Sequence, residues 1–424
     1  MYDQTVNNLL LLALGSAIGV NVLFWSLVGL LRYLSNDRPD PADVQETVAL
    51  AEVAVVIPAH NEETALPKCL RALQAVIPLS QVYVASDGSR DQTVAMARAA
   101  GCHVDDIWPN GGKANAIAHA ISANDLCDRF KAVLILDADS EIDPGYFKHA
   151  LPLLRDPKVA AIAGHVLSRW PARRWLASSL IFTAYRTRLY RLLQAAFQYG
   201  HSWSIVNVSY IAPGFASMYR TTALREINIV APGLVIEDFN MTFEVHRKRL
   251  GRIAYSPKVK CTSEDPARLG DYRKQVMRWY LGFWQTVWHH GFWPSRFWLA
   301  LLPLLLELAL FSAYLIALPF LALAYLLAGW DSVALSMSDL AIRQVSAVDA
   351  FLAFIAVDFA FTAVAAAIER RPSLLLYAPA FPLIRMLDAF LFMAAFMKSF
   401  SVKSDGRWVS PERRFDGLHK EPSA

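Results

Sequence analysis

The chain has 424 residues, which allows two or three domains. Its residues are 55% hydrophobic and 18% charged, a balance that argues against a purely water-soluble protein. The formal charge of +4 is small, and no basic stripe lies outside the segments that flank apolar runs, so nucleic acid is not an expected partner.

The apolar excess is localised. Residues 8–34 carry no charge before Arg32 and are long enough to span a bilayer. Three further runs follow at 297–329, 348–368 and 374–397; the first is interrupted only by Glu307, Pro303 and Pro319. An integral membrane protein is expected. The leading charge is Asp3 rather than a basic cluster, which argues against a cleaved signal peptide. The expected organisation is an N-terminal transmembrane helix in 1–35, a cytosolic domain in 36–294, a C-terminal transmembrane region in 295–400 and a basic tail in 401–424. Basic residues gather near the membrane edges: Arg169, Arg173, Arg174, Arg186, Arg188, Arg191, Arg273, Lys274, Arg278 and the tail after Lys398. They suit anionic lipid headgroups or a phosphorylated substrate. The four cysteines lack metal-ligand spacing and suit a reduced compartment.

Within the soluble-type segment, 53–58 reads as a buried strand and 63–75 as a helix. A second strand at 82–85 is closed by Asp87-Gly88, and a helix follows at 91–100 with Asp91 as N-cap. Another helix at Lys113–Ala123 leads to a strand at Ala132–Leu136. This alternation predicts a parallel sheet with helices on both faces. Strands are expected to continue at 159–163 and 211–219. Segments 170–199 and 272–293 mix Trp, Tyr and Arg. The second reads as a helix in the membrane plane; for the first, an ordinary docked surface helix fits as well. With one N-terminal and three C-terminal spans, the basic tail would lie outside, against the positive-inside tendency.

Four polar stations carry the chemistry. Ser86-Asp87-Gly88-Ser89 ends a strand, where a carboxylate can accept hydrogen bonds from a base or sugar. Asp137-Ala138-Asp139 ends the next; carboxylates at i and i+2 of an extended chain face one side, as a cation bridging a diphosphate requires. Ile236-Glu237-Asp238 precedes a helix expected at 239–249, where a capping box explains Asp238 as well as catalysis does. Gln275-Val276-Met277-Arg278-Trp279, if helical, puts Gln275 and Trp279 on one face with Arg278 beside them; a membrane-anchoring aromatic belt is the plainer alternative.

As an ordered set, these stations resemble the family-two inverting glycosyltransferases of the membrane-embedded processive type, which includes the hyaluronan, chitin, cellulose and poly-N-acetylglucosamine synthases. The resemblance covers residues 53–279 and the flanking spans. Pro58-Ala59-His60-Asn61-Glu62, Gly112-Lys113-Ala114-Asn115-Ala116 and Gly214-Phe215-Ala216-Ser217-Met218-Tyr219-Arg220 match further pieces of the pattern. It implies a GT-A-type α/β nucleotide-sugar-binding domain inserted between transmembrane helices. By position, Asp87 would contact uridine, with Glu62 and Lys113 near the nucleotide, and Asp137 would hold ribose or diphosphate. Asp139 would ligate Mg²⁺ or Mn²⁺. Asp238, with Glu237 beside it, would be the general base on the acceptor hydroxyl. Gln275 and Arg278 would bind the diphosphate, and Trp279 would stack on the acceptor sugar.

Three departures stand out. Ser86-Asp87 replaces the family's two adjacent aspartates, Ile236 stands where Thr is usual, and the C-terminal spans are fewer than in the larger synthases, which counts against a self-contained channel. The expected activity is polymerisation of a β-linked polysaccharide from UDP-N-acetylglucosamine or UDP-glucose at the inner (plasma) membrane. Its partners would be the growing glycan, membrane lipids and an accessory subunit for export. Single addition to a lipid-linked acceptor is the alternative. Among polar groups inside the apolar runs, Asp358 and Arg385 are expected to line a hydrated path. Asp349 is expected at the interface, with Arg385–Asp388 pairing as the competing explanation.

Overall fold

The computed structural model describes residues 19–35, 47–170, 177–328 and 347–402. Eight strands form one sheet: β1 (Val53–Ala59), β2 (Val82–Asp87), β3 (His103–Ile107), β4 (Ala132–Leu136), β5 (Glu141–Ile142), β6 (Val159–Ser168), β7 (Ala216–Arg220) and β8 (Arg252–Ser263). Their order is β3-β2-β1-β4-β7-β6-β8-β5. Helices around it are α1 (Val20–Leu34), α2 (Leu66–Gln74), α3 (Thr93–Ala99), α4 (Lys113–Ala123), α5 (Ile181–Leu193), α6 (Glu237–Arg247) and α7 (Leu269–His290). Three apolar helices follow, α8 (Arg296–Ala328), α9 (Ala347–Ile368) and α10 (Phe381–Ser399).

All seven residues of β1 are buried because both faces of the sheet are covered. Alternate residues point to opposite sides. Val53, Val55 and Ile57 pack with Leu66, Leu70 and Leu73 of α2. Ala54 and Val56 meet Ala116, Ile117 and Ala120 of α4. The helix at Lys113–Ala123 and the strand at Ala132–Leu136 have the expected bounds. The helix expected from Asp91 begins at Thr93 with Gln92 at the N-cap; Asp91 stands one residue earlier, its Oδ1 accepting the Thr93 N–H at 3.0 Å.

The sheet corrects the all-parallel expectation. β3, β2, β1 and β4 are parallel, but β7 runs antiparallel to β4, with Leu136 opposite Ala216, and antiparallel to β6. The strand expected at 211–219 begins only at Ala216. Pro213 has no N–H for a ladder, and the preceding segment instead passes over the end of β4, where the Phe215 carbonyl accepts the Asp137 N–H at 3.0 Å. Three strands had no counterpart in the sequence pattern, the two-residue β5 among them. β3 is a half-exposed edge rich in Asp, and β8 carries Pro257 at an irregularity in its pairing with β6.

Among the described residues, segments Arg296–Ala317 and Leu374–Ser399 are long and apolar enough to cross a membrane; Val20–Leu34 and Phe354–Ile368 are shorter apolar helices. Residues 8–18, Arg173, Arg174 and the tail from 403 lie outside the described residues, as does the side chain of Asp349. α7 lies along α10, with Trp284 and Phe392 ring centres 5.3 Å apart.

The polar groups of the apolar helices do not line an open path. Asp358 on α9 is 1% exposed; its Oδ2 lies 2.6 Å from Arg188 Nη1 of α5, and its Oδ1 lies 2.9 Å from Arg385 Nη1 of α10. Arg385 therefore pairs with Asp358, not Asp388. Asp388 accepts the hydroxyls of Tyr185 (2.8 Å) and Tyr272 (2.7 Å). Arg191 pairs with Glu369, and Glu307 accepts the Asn21 N–H at 2.9 Å. α5 is thus docked on α9 and α10, which buries Arg188, while Arg186 is buried against α7; both placements correct their reading as headgroup contacts.

Candidate active site

Parallel pairing of β1, β2 and β4 brings their carboxyl ends to one edge of the sheet, where ligands of open α/β sheets bind. Asp87 closes β2 and is fully buried. Its two oxygens accept the N–H groups of Gly111 (2.8 Å) and Gly112 (2.7 Å), fixing the turn into α4; each oxygen keeps a further lone pair. Glu62, three residues after β1, is buried, and its backbone N–H donates to Thr93 Oγ1 at 2.8 Å.

Lys113, the first residue of α4, joins two stations. Its Nζ is 2.7 Å from Asp137 Oδ1 and 2.7 Å from Glu237 Oε1. Burial raises the Asp137 carboxyl to about 6; Lys113 works against the rise, and the neighbouring Asp139 adds to it. Asp139 stands one residue beyond a buried Ala138 and is half-buried.

Asp238 lies in the first turn of α6. Its Oδ2 accepts the Gly214 N–H at 3.1 Å and its Oδ1 the Phe239 N–H at 2.7 Å. This is not a capping box, because the residue sits inside the helix and no side chain caps it. Burial pushes Asp238 up to about 6, with Glu237 adding to the rise and Lys113 opposing it. Gly214 is where the pieces meet. A β-carbon there would stand 2.8 Å from Glu237 Oε1, 3.2 Å from Lys113 Nζ and 3.3 Å from Asp238 Cβ. A cleft of about 220 Å³ opens beside Lys113 and Glu237, walled by residues 229–236.

Gln275 and Trp279 share one face of α7, as their spacing predicts, and a third residue ties them. Arg186 Nη2 donates to Gln275 Oε1 at 2.9 Å, and its guanidinium carbon lies 4.2 Å from the centre of the Trp279 ring. Arg278 is exposed. This group borders the carboxylate edge: Tyr190, hydrogen-bonded by Arg186, and Asp265, near Arg186, are both close enough to Asp139 for its charge to raise their pKa values. Burial raises Asp265 to about 6. Sequence reasoning passed over Asp265 and took Arg186 for a membrane-edge cation; nothing local marks either.

Among the described residues no group of three or more His, Cys, Asp or Glu forms a ready metal cage. A divalent cation here would take one or two carboxylates and complete its shell with phosphate oxygens and water. The repulsion that Asp139 exerts on Asp137 is what such a cation relieves, so the residues fit it.

The description "Glycosyltransferase like family 2" matches residues 51–282, more than half of the chain. The chain belongs to this glycosyltransferase family. It is 27% identical to the hyaluronan synthase of Streptococcus pyogenes over 256 residues, 55% of this chain and 57% of that protein. It is also 27% identical to the probable glucomannan 4-beta-mannosyltransferase 10 of Arabidopsis thaliana over 250 residues, 54% of this chain and 42% of that one. The chain thus spans about half the length of these relatives. Among solved structures, the mannosyltransferase PcManGT from Pyrobaculum calidifontis, in complex with GDP-Man and Mn²⁺, superposes with a TM-score of 0.54 at 17% identity, covering 92% of this chain and 98% of that one. That likeness is one of fold, the GT-A-like arrangement with its mixed sheet.

Proposed function

We propose that this glycosyltransferase works at the inner membrane, its 36–294 domain in the cytosol, and elongates a β-linked glycan from a UDP-sugar, UDP-N-acetylglucosamine or UDP-glucose, by inversion. The observation that carries the reading is the convergence of Asp137, Lys113, Glu237 and Asp238 around Gly214 at the sheet edge. In this reading Asp87 and Glu62 shape the uridine pocket, and Asp137 and Lys113 border the ribose and diphosphate. Asp139 holds Mg²⁺ or Mn²⁺, which when bound neutralises charge on the departing diphosphate.

Asp238 is the base. With its carboxyl near 6 it is ionised at neutral pH and basic enough to take a proton. A sugar hydroxyl is a weak acid, so Asp238 takes the proton late, as the new glycosidic bond forms on the face opposite the leaving group. Glu237, held by Lys113, fixes the turn that aims Asp238. Arg278 and Gln275 bind the diphosphate, and Trp279 stacks on the terminal sugar of the acceptor. Ring-face stacking accepts one identical unit after another, which suits processive growth.

Single addition to a lipid-linked acceptor is the second reading. It is favoured by the closure of the Arg188–Asp358–Arg385 ion pairs, which leaves these charges unavailable to line an exit path. If a polymer is made instead, its export would need an accessory subunit. The test is a screen of UDP-sugars, with GDP-mannose beside them, for Mg²⁺- or Mn²⁺-dependent nucleotide release by the detergent-solubilised protein, followed by product sizing. A ladder of long products supports the proposal. Products one sugar longer than the acceptor would sink processivity, and release from GDP-mannose alone would sink the UDP-sugar assignment.

A further inference from the structure

Arg186 is among the largest fully buried side chains of the protein, at 1% exposure. Burying a guanidinium costs several kcal/mol unless its protons are well placed. Among the described residues no carboxylate lies within ion-pair distance of Arg186. Its contacts are of another kind. Nη2 donates to Gln275 Oε1 at 2.9 Å, Nη1 donates to the Tyr190 hydroxyl at 2.5 Å, and the guanidinium carbon lies over the Trp279 ring at 4.2 Å from its centre and over that of Tyr272 at 5.1 Å. A charge placed at such cost, against one amide and one indole of the same motif, has a purpose other than stability.

Gln275 and Trp279 point from one helix face, yet each side chain has several rotamers of its own. A guanidinium is a rigid planar fork with fixed donor directions. One edge of that plane sets the Gln275 amide, and its face sets the tilt of the Trp279 indole. The plane is itself fixed, because α5 is fastened on either side of Arg186: Tyr185 donates to Asp388 of α10, and Arg188 pairs with Asp358 of α9. The acceptor platform is thereby referenced to the apolar helices rather than to the sheet. We propose that Arg186 is a positioning residue that presets Gln275 for the diphosphate and Trp279 for the acceptor, an inference that rests on the reading of Trp279 as the acceptor platform.

The test is a double-mutant cycle on sugar incorporation by the full-length, detergent-solubilised protein, using Trp279→Phe, Arg186→Lys and the pair. Lys keeps the charge but has neither the fork nor the flat face. Each single change is expected to lower turnover about tenfold, and the pair no more than the worse single, because coupled residues do not lose activity independently. Arg186→Met, which also removes the charge, is expected to lose more than Arg186→Lys. Tyr190→Phe removes one hydrogen bond and little else; it is expected to lose two- to threefold and to be silent in the Trp279→Phe background, and it serves where Arg186 variants do not fold. Losses that multiply to about a hundredfold in the double variant, or an unchanged Arg186→Lys enzyme, overturn the role of Arg186. Unchanged turnover in Trp279→Phe removes the platform itself and this role with it.

Discussion

Replacing Lys113 with Met removes the cation that, among the described residues, joins the strand-end carboxylate Asp137 to Glu237 beside the proposed base. The β-carbon position of Gly214 lies 3.2 Å from Lys113 Nζ and 3.3 Å from Asp238 Cβ, so the ammonium is within about 6.5 Å of Asp238 Cβ and its charge a comparable distance from the carboxylate. At an effective dielectric of 20, two unit charges at that distance interact by about 2.5 kcal/mol; doubling the dielectric for the water that reaches this half-open edge halves the figure. The loss therefore lifts the Asp238 pKa from about 6 by roughly one to two units. At pH 7 the ionised fraction of the base falls from about 90% to between roughly 50% and 10%, and it recovers at pH 9. The assay is the pH profile of sugar-dependent nucleotide release between pH 5.5 and 9. Lys113→Met is expected to move the acid limb upward by one to two units whatever its absolute rate, and Lys113→Arg to leave the limb in place. An acid limb that stays put in Lys113→Met, or moves down, refutes the charge coupling of Lys113 to the base.

Asp238→Asn is expected to abolish turnover while leaving nucleotide binding measurable. The folded-state pKa of Asp238 is raised to about 6 from 3.8, so its charge opposes folding increasingly from about pH 4 to 6 and by a constant amount above. The variant should gain about 3 kcal/mol at pH 7.5 and little at pH 4, read as melting midpoints; retained activity, or equal gain at both pH values, would contradict this. Asp358→Asn leaves Arg188 and Arg385 facing each other without a counter-charge and is expected to cost about 3–5 kcal/mol of stability, with Arg188→Met in the same chain recovering part of it. A detergent melting curve that does not shift would rule out these pairs as the clamp on α5.

Much of the candidate site's edge was legible in the sequence because each station is local. Asp87, Asp137-Ala138-Asp139 and Glu237-Asp238 each sit where a strand ends or a helix begins, and hydrophobic runs and turn residues mark such places within a few positions. The Lys113–Ala123 helix was legible for the same reason. The antiparallel return of β7 was not, since a single strand carries no sign of its neighbour's direction. β3 and β8 escaped because an edge strand with Asp and a strand with Pro257 break the apolar pattern that identifies buried strands.

By itself, then, the sequence determined the order of the acidic stations, the covered sheet edge and the presence of long apolar helices, because all three are written in short-range periodicity. Only the tertiary structure decided which charges meet. Lys113 reaches Asp137 across 24 residues and Glu237 across 124, Arg186 reaches Gln275 across 89, and Arg188 reaches Asp358 across 170. A buried charge takes as partner whatever the packed helices bring within hydrogen-bond reach. That choice turned Asp358 and Arg385 from a hydrated path into a clamp, and Arg186 from a membrane-edge cation into the support of Trp279.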